Sequence, residues 1–402
     1  MISESWQKNL FAIFIAEFLV IMGHSSVTPF MPLFIQTLGD FTSVEVAFWA
    51  GIATGVSGLS MFLTAPLWGN IADRWGRKPM VLRAMFGGSI IVALTGLAPN
   101  ICYLIVMRFI FGMFAGSVAA SSALIAANTP KNKIPFAMGL LMAAAFGGQT
   151  LGPMFGGFLA DSVGYKNTFF ITSAVIFAGS LIVLLFVEER FEHPVKEQSS
   201  SWRKMLDLAK SRQMLILLIL LLALNAGPSM ISPIIPVVVR DLDPGGKAAS
   251  ASGLAIGLLG LVTAISSVIT GRLGERITLK KILFFSCILT GLLYLPPIWA
   301  STVGQLTLFI ALMGLFKGGM VTIPNALVGL SVDPSQQGIA YGLAQSAKSL
   351  GSAAGPFIGG SLAPLLGLRS IFGVAGGLFL LVGIAVARLF VEKPTEMPKT
   401  TH

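Results

Sequence analysis

Gly148-Gln149-Thr150-Leu151-Gly152-Pro153-Met154-Phe155-Gly156-Gly157 and Gly351-Ser352-Ala353-Ala354-Gly355-Pro356-Phe357-Ile358-Gly359-Gly360 are two copies of one pattern, G-x-x-x-G-P-x-x-G-G, 203 positions apart in a chain of 402 residues. Three further pairs keep an offset of 202 to 204: Pro29-x-x-Pro32 with Pro233-x-x-Pro236, Gly69-x-x-x-Asp73-Arg74 with Gly271-x-x-x-Glu275-Arg276, and Gly164-Tyr165-Lys166 with Gly367-Leu368-Arg369. One match is chance-level; four in the same order indicate that one unit was duplicated. In an apolar chain, such a repeat predicts two bundles related by an axis along the membrane normal, with a cleft between them.

The chain is that apolar: 54% of its residues are hydrophobic, 11% are charged and the mean hydropathy is +0.84. A soluble domain carries about 25% charge. Each crossing needs about 20 apolar residues, and we read twelve: 9–36, 46–72, 79–98, 101–127, 136–162, 167–187, 213–239, 248–272, 280–300, 304–331, 338–365 and 369–391. The first run is too long for a signal-peptide core and no A-x-A-like site follows it, so it is expected to be a span. The predicted fold is all-α: twelve transmembrane helices in two six-helix bundles, residues 1–190 and 213–402 with a short tail. Residues 191–212 form a cytoplasmic linker, in which Ser201–Arg212 has the pattern of an amphipathic surface helix.

The net charge of +10 is unevenly distributed. Twenty lysines and arginines fall on one side of the predicted spans, among them Lys8, Arg74, Arg77, Lys78, Arg83, Lys131 and Lys281; the opposite loops hold only Lys166, Arg240, Lys247 and Arg369. This is the positive-inside bias, and it predicts both termini in the cytoplasm. A basic membrane face accounts for the charge, so no nucleic-acid partner is expected. Cys102 and Cys287 lie in different halves and are expected to be free thiols, with no metal site. The sequence has no H-E-x-x-H, no phosphate-cradling glycine loop and no paired carboxylates within spans, so neither an enzyme nor an ATP-driven pump is expected, and no cofactor.

Polar groups inside the spans are the functional candidates. Glu17 is the one carboxylate placed well inside a span, and His24 follows at i+7 on nearly the same helix face. Both are proton-carrying groups; either also suits a satisfied structural role. Arg108, in Arg108-x-x-x-Gly112-x-x-x-Gly116, costs about 2.5 kcal/mol or more at membrane depth unless it finds a partner, a cavity or the interface. Depth counting puts His24 near the level of Arg108, and an Arg108–Glu17 pair formed on proton release would link protonation to helix movement. In the second half, Lys317 and Lys348 suit an anionic or zwitterionic substrate, or a counter-ion. Gln149, Asn225, Asn325 and Gln345 are further candidates for a substrate cavity.

Two motifs remain. Gly69-Asn70-Ile71-Ala72-Asp73-Arg74-Trp75-Gly76-Arg77-Lys78 falls between spans 2 and 3; Asp73 is positioned to pair with Arg74 or Arg77, or to cap a helix N-terminus. Gly148, Gly152, Gly156 and Gly157 permit close helix approach, and Pro153 removes a backbone donor and bends its helix.

These motifs carry a resemblance. The Gly69–Lys78 segment is similar to the signature loop G-x-L-A-D-R-x-G-R-[KR] of the major facilitator superfamily, and the Gly148–Gly157 segment resembles the antiporter motif of its drug:proton exporters. Nearly the whole chain resembles bacterial twelve-span drug:proton antiporters of that superfamily; Trp6-Gln7-Lys8-Asn9-Leu10 and Ser122-Ala123-Leu124-Ile125-Ala126 look like the MdtG/PmrA-type multidrug exporters. Ser121, where those proteins tend to carry Asn, and Lys317 depart from the pattern. The resemblance implies a proton-gradient-driven exporter of amphipathic small molecules in a bacterial cytoplasmic membrane, expected to be a monomer. Gly69, Asp73, Arg74, Gly76, Arg77 and Lys78 would form a latch between bundles, and Arg108 would serve proton coupling. Two alternatives stay open: an exporter or flippase of an anionic metabolite or lipid, and a non-transporting membrane receptor.

Overall fold

The computed structural model describes residues 2–189, 207–208, 210–332 and 336–389; the side chains of 2–5, 66, 69, 70, 72–74, 131, 338 and 389 lie outside that description. Among the described residues the chain is helical, with two short 3-10 turns and no strand. Among the described residues, eleven segments are long and apolar enough to cross a membrane. The predicted eleventh span is the 30-residue helix Gln337–Leu366, whose apolar character is diluted by Gly, Ser, Gln and Lys348. It packs along Ser43–Trp75 and Arg212–Ile231, so it meets protein rather than lipid on those faces.

Four predicted spans are broken rather than continuous, the ninth being the helix Leu279–Leu293 followed by a 3-10 turn at Pro296–Trp299. Span 1 is Ile2–Ser26 followed by Met31–Gln36, and span 7 is Arg212–Ile231 followed by Ile235–Leu242. Each break sits on a P-x-x-P pair, where proline lacks the N–H that the helix ladder needs. Span 4 is Ile101–Phe114 followed by Ser117–Asn128. The other change concerns Gly69 to Arg74. The helix Ser43–Trp75 runs through these residues, and the chain turns only at Gly76. The linker and its amphipathic stretch fall largely at 190–206 and 209, outside the described residues.

The duplication reappears in the packing. Span 1 lies against spans 5 and 6, span 2 against 4, and span 3 against 4 and 6; span 7 lies against 11 and 12, span 8 against 10, and span 9 against 10 and 12. The halves meet along two related seams, span 2 on span 11 and span 5 on span 8. The turns at Gly164 and Gly367 have φ of 84° and 85°, a backbone region that L side chains rarely adopt. The same left-handed turn thus recurs before spans 6 and 12.

Helices in lipid gain no hydrophobic energy from leaving the hydrocarbon, so association depends on close packing. The two decapeptides supply it. A Cβ at Gly148, Gly152 or Gly156 would overlap span 1 at Phe18, Met22, Ser25 or Ser26, and one at Gly351, Gly355 or Gly359 would overlap span 7 at Leu222, Ala226 or Met230. The last glycine of each stripe looks the other way. Gly157 abuts Ala249 of span 8 and Gly360 abuts Ala47 and Phe48 of span 2, each in the opposite bundle.

Candidate functional site at a buried carboxylate and a broken helix

Glu17 is fully buried on span 1. Its Oε1 accepts from Ser121 Oγ at 2.7 Å and its Oε2 from Ser117 Oγ at 3.1 Å. Ser117 and Ser121 are themselves buried and stand one helical turn apart on the second half of span 4. Among the described residues, no cation pairs with Glu17.

The break in span 4 brings a helix start to the carboxylate. Gly116 takes φ 109° in the left-handed region, and the helix Ser117–Asn128 starts at the next residue. Its first-turn N–H groups have no intrahelical acceptor, which favours negative charge there. Upstream of the break the carbonyls of the last turn also lose their helix partners. Trp68 Nε1 donates to Met113 O at 2.7 Å, and Arg83 Nη2 lies 3.4 Å from both Phe114 O and Ala115 O. The Arg83 guanidinium stacks 3.8 Å from the centre of the Trp68 ring. Span 2 secures the upstream half, with Ser57 Oγ donating to Arg108 O at 2.9 Å and Ser60 Oγ to Phe109 O at 2.8 Å. Gly112 is required there, since a Cβ would overlap Ser57 O and Ser60 Oγ.

Arg108 and His24 meet through one ring. Arg108 Cζ lies 5.4 Å from the Phe111 ring centre, and the His24 ring contacts the same ring edge-on at 5.0 Å. Arg108 Nε and Nη2 and His24 Nε2 are buried with no hydrogen-bond partner among the described residues. Arg108 and Glu17 are not paired: Glu17 is held by serines and Arg108 by Phe111.

The remaining sequence candidates separate into groups. Lys348 donates to Asn325 Oδ1, while Asn325 and Asn225 donate to their own helices at Val321 O and Leu221 O. Lys317 is half-buried and bonds to no other described residue, and Gln149 and Gln345 are exposed. Asp73 and Arg74 lie outside the described side chains. Glu189, unremarked in the sequence, caps the next helix: its carboxylate accepts from Arg77 N at 2.8 and 3.0 Å and from Lys78 N at 2.8 Å. Lys78 Nζ donates to Leu184 O at 2.9 Å. Cys102 and Cys287 are free.

The bundles are fastened to one another at the end opposite loop 2–3. Ser43 Oγ accepts from Arg240 Nη2 at 2.8 Å and donates to Asp241 Oδ1 at 2.9 Å, joining span 2 to span 7. Asp161 Oδ2 accepts from Ser250 N at 2.7 Å, joining span 5 to span 8.

Sequence reasoning missed Ser117, Trp68 and Arg83. The i, i+4 serine pair and an arginine five residues into a predicted span are visible signals, but charge distribution alone places Arg83 on the basic membrane face. The structure places it within the helix Arg77–Gly96, on the span 4 break.

Comparison with known proteins agrees with this architecture. The Major Facilitator Superfamily matches residues 13–252 and 229–402. The multidrug resistance protein MdtG of Enterobacter lignolyticus is 33% identical over 370 residues, 92% of this chain and 88% of that protein. A bacterial homologue of the human lysosomal transporter Spinster, crystallised in an inward-facing and occupied conformation, superposes with a TM-score of 0.80 at 14% identity, covering 95% of this chain and 96% of that one. The nucleoside transporter NupG superposes with a TM-score of 0.75 at 15% identity, covering 96% of this chain and 99% of that one. With repeat, seams and sequence in agreement, the chain belongs to the Major Facilitator Superfamily and is a multi-pass membrane transporter.

Proposed function

We propose that this transporter exports amphipathic small molecules in exchange for protons, by alternating access between the bundles, with Glu17 as the proton carrier. The observation that carries the reading is the setting of Glu17: a fully buried carboxyl with no cation among the described residues, held by two hydroxyls at the start of a half-helix. A carboxyl so placed gains an O–H donor at one oxygen when a proton arrives, while the other still accepts, which alters its contact with span 4. His24 serves as relay and Arg108 as the neighbouring positive charge. Exchange requires each ligand to bind the two states differently, because occupancy alone shifts no equilibrium. Similarity to the multidrug resistance protein of Enterobacter lignolyticus supports the substrate class. In this reading the protein is a monomer in a bacterial cytoplasmic membrane, both termini are cytoplasmic, the bundles are 1–190 and 213–402, and the proton gradient is the sole energy source.

Reconstitution in proteoliposomes with an imposed pH gradient tests this, with ethidium and norfloxacin as substrates. Wild type is expected to move them, and Glu17→Gln to bind them without gradient-driven flux. Unchanged flux in Glu17→Gln overturns the role of Glu17.

A second reading rests on Lys317, which has no partner among the described residues. Export of an anionic compound would use this charge. Loss of anion transport in Lys317→Ala, with ethidium unaffected, would select it.

A further inference from the structure

We propose that Arg83 and Trp68 are positioning residues of the transport cycle: they anchor the upstream half of span 4 at its break, so that the half carrying Ser117 and Ser121 pivots at Gly116 as a separate element. The proposal extends the reading of Glu17 above, because Glu17 is the group that the pivoting half holds.

Irregular backbone at membrane depth is tolerated only where its polar groups find partners. Here three successive carbonyls at the break, Met113, Phe114 and Ala115, receive donors from just two side chains on two other helices, the Trp68 indole of span 2 and the Arg83 guanidinium of span 3. Those donors are locked to each other by the stacking of guanidinium on indole at 3.8 Å. Ser57 and Ser60 pin the same half to span 2 one turn earlier. The upstream half is thereby tied to spans 2 and 3 at five backbone carbonyls, Arg108, Phe109, Met113, Phe114 and Ala115.

The downstream half is held differently. Its bonds to span 1 are the two serine hydroxyls on Glu17. Between the halves stands Gly116, whose φ of 109° leaves no continuous hydrogen-bond ladder to transmit bending. Among the described residues, no other charge competes for Glu17. His24 and Arg108 lie against Phe111 and do not bond to Glu17, and the only ionisable side chains on spans 5 and 6 are Asp161, Tyr165 and Lys166, near the opposite end. The downstream half packs on spans 1, 3 and 5, and Asn128 Nδ2 lies 3.5 Å from Glu188 O; a change at Glu17 therefore acts on a helix with fewer hydrogen bonds to its neighbours than the half bearing Arg108.

Spin-label distances in membranes test the division. One label at Leu185→Cys on span 6 serves as reference, with a second at Ala127→Cys in the downstream half or at Val106→Cys in the upstream half, in a Cys102→Ser, Cys287→Ser background. Ethidium addition is expected to shift the Ala127 distance and leave the Val106 distance unchanged. Trp68→Phe, which keeps a smaller aromatic face and loses the N–H, and Arg83→Lys should each make the Val106 distance move as well. Each should lower turnover about tenfold with KM within about twofold, the pattern of a residue that acts through another. Ethidium binding and elution as a single species establish that the variants fold. Both distances shifting together in the parent protein would overturn the proposal. So would unchanged turnover and an immobile Val106 label in both Trp68→Phe and Arg83→Lys. The Glu17 reading is judged separately, by flux in Glu17→Gln: if flux persists there while the two labels still move independently, the pivot stands and the carrier role falls.

Discussion

Ser121 Oγ donates to Glu17 Oε1 at 2.7 Å, joining span 1 to the second half of span 4 across 104 positions of sequence. Both residues are 0% exposed, so in this conformation the bond is shielded from water. Of the two hydroxyls on the buried carboxylate, Ser121 makes the shorter bond.

Removing that hydroxyl should weaken coupling more than folding. Hydrogen bonds to charged groups contribute about 1.5–3 kcal/mol. Ser121→Ala is expected to lower gradient-driven ethidium flux by about tenfold, and Ser117→Ala, with the longer bond, by less. Ser121→Asn supplies an amide donor at the same place and is expected to retain most flux. Flux assays in proteoliposomes, with facilitated exchange without a gradient as control, decide the order.

The glycine stripes predict a symmetric stability response. A Cβ at Gly156 would overlap Ser26 O, and one at Gly359 would meet Met230 O. Overpacking of this kind typically costs about 1–3 kcal/mol. Gly156→Ala and Gly359→Ala should each lower the melting temperature in detergent, by similar amounts. Unequal shifts would mean that the two copies no longer share one packing role.

Gly157 and Gly360 face the opposite bundle and should act on conformation instead. Gly157→Ala is expected to separate span 5 from Ala249 and expose the seam with little loss of bundle stability. Labelling of a cysteine at Ser250 by a membrane-impermeant thiol reagent should rise in Gly157→Ala and in Asp161→Asn, which weakens the acceptor for Ser250 N. No rise in either variant would show that this end is held elsewhere.

Glu189 should matter for stability in proportion to its capping. Its carboxylate receives two successive N–H groups at the start of the helix Arg77–Gly96. Loss of a helix cap typically costs about 1 kcal/mol. Glu189→Ala is expected to lower the melting temperature by a few degrees, and Glu189→Asp by less, both read from thermal unfolding in detergent.

The sequence by itself determined the architecture. Duplicated decapeptides, paired P-x-x-P strings and long apolar runs depend only on local order, and each reappears as a packed stripe, a helix break or a span. It also singled out Glu17, His24 and Arg108, because ionisable groups within apolar runs are visible without knowing their neighbours. Only the tertiary structure decided what those groups touch. Depth along a helix is countable from sequence, but azimuth and helix breaks depend on contacts between segments far apart in the chain. Thus Glu17 is held by Ser117 and Ser121 rather than by Arg108, Arg108 shares the Phe111 ring with His24, and Arg83 leaves the basic face for the carbonyls of a broken helix. The physical reason is that, in lipid, an unsatisfied polar group must find its partner inside the protein, and which helix brings that partner is a property of packing.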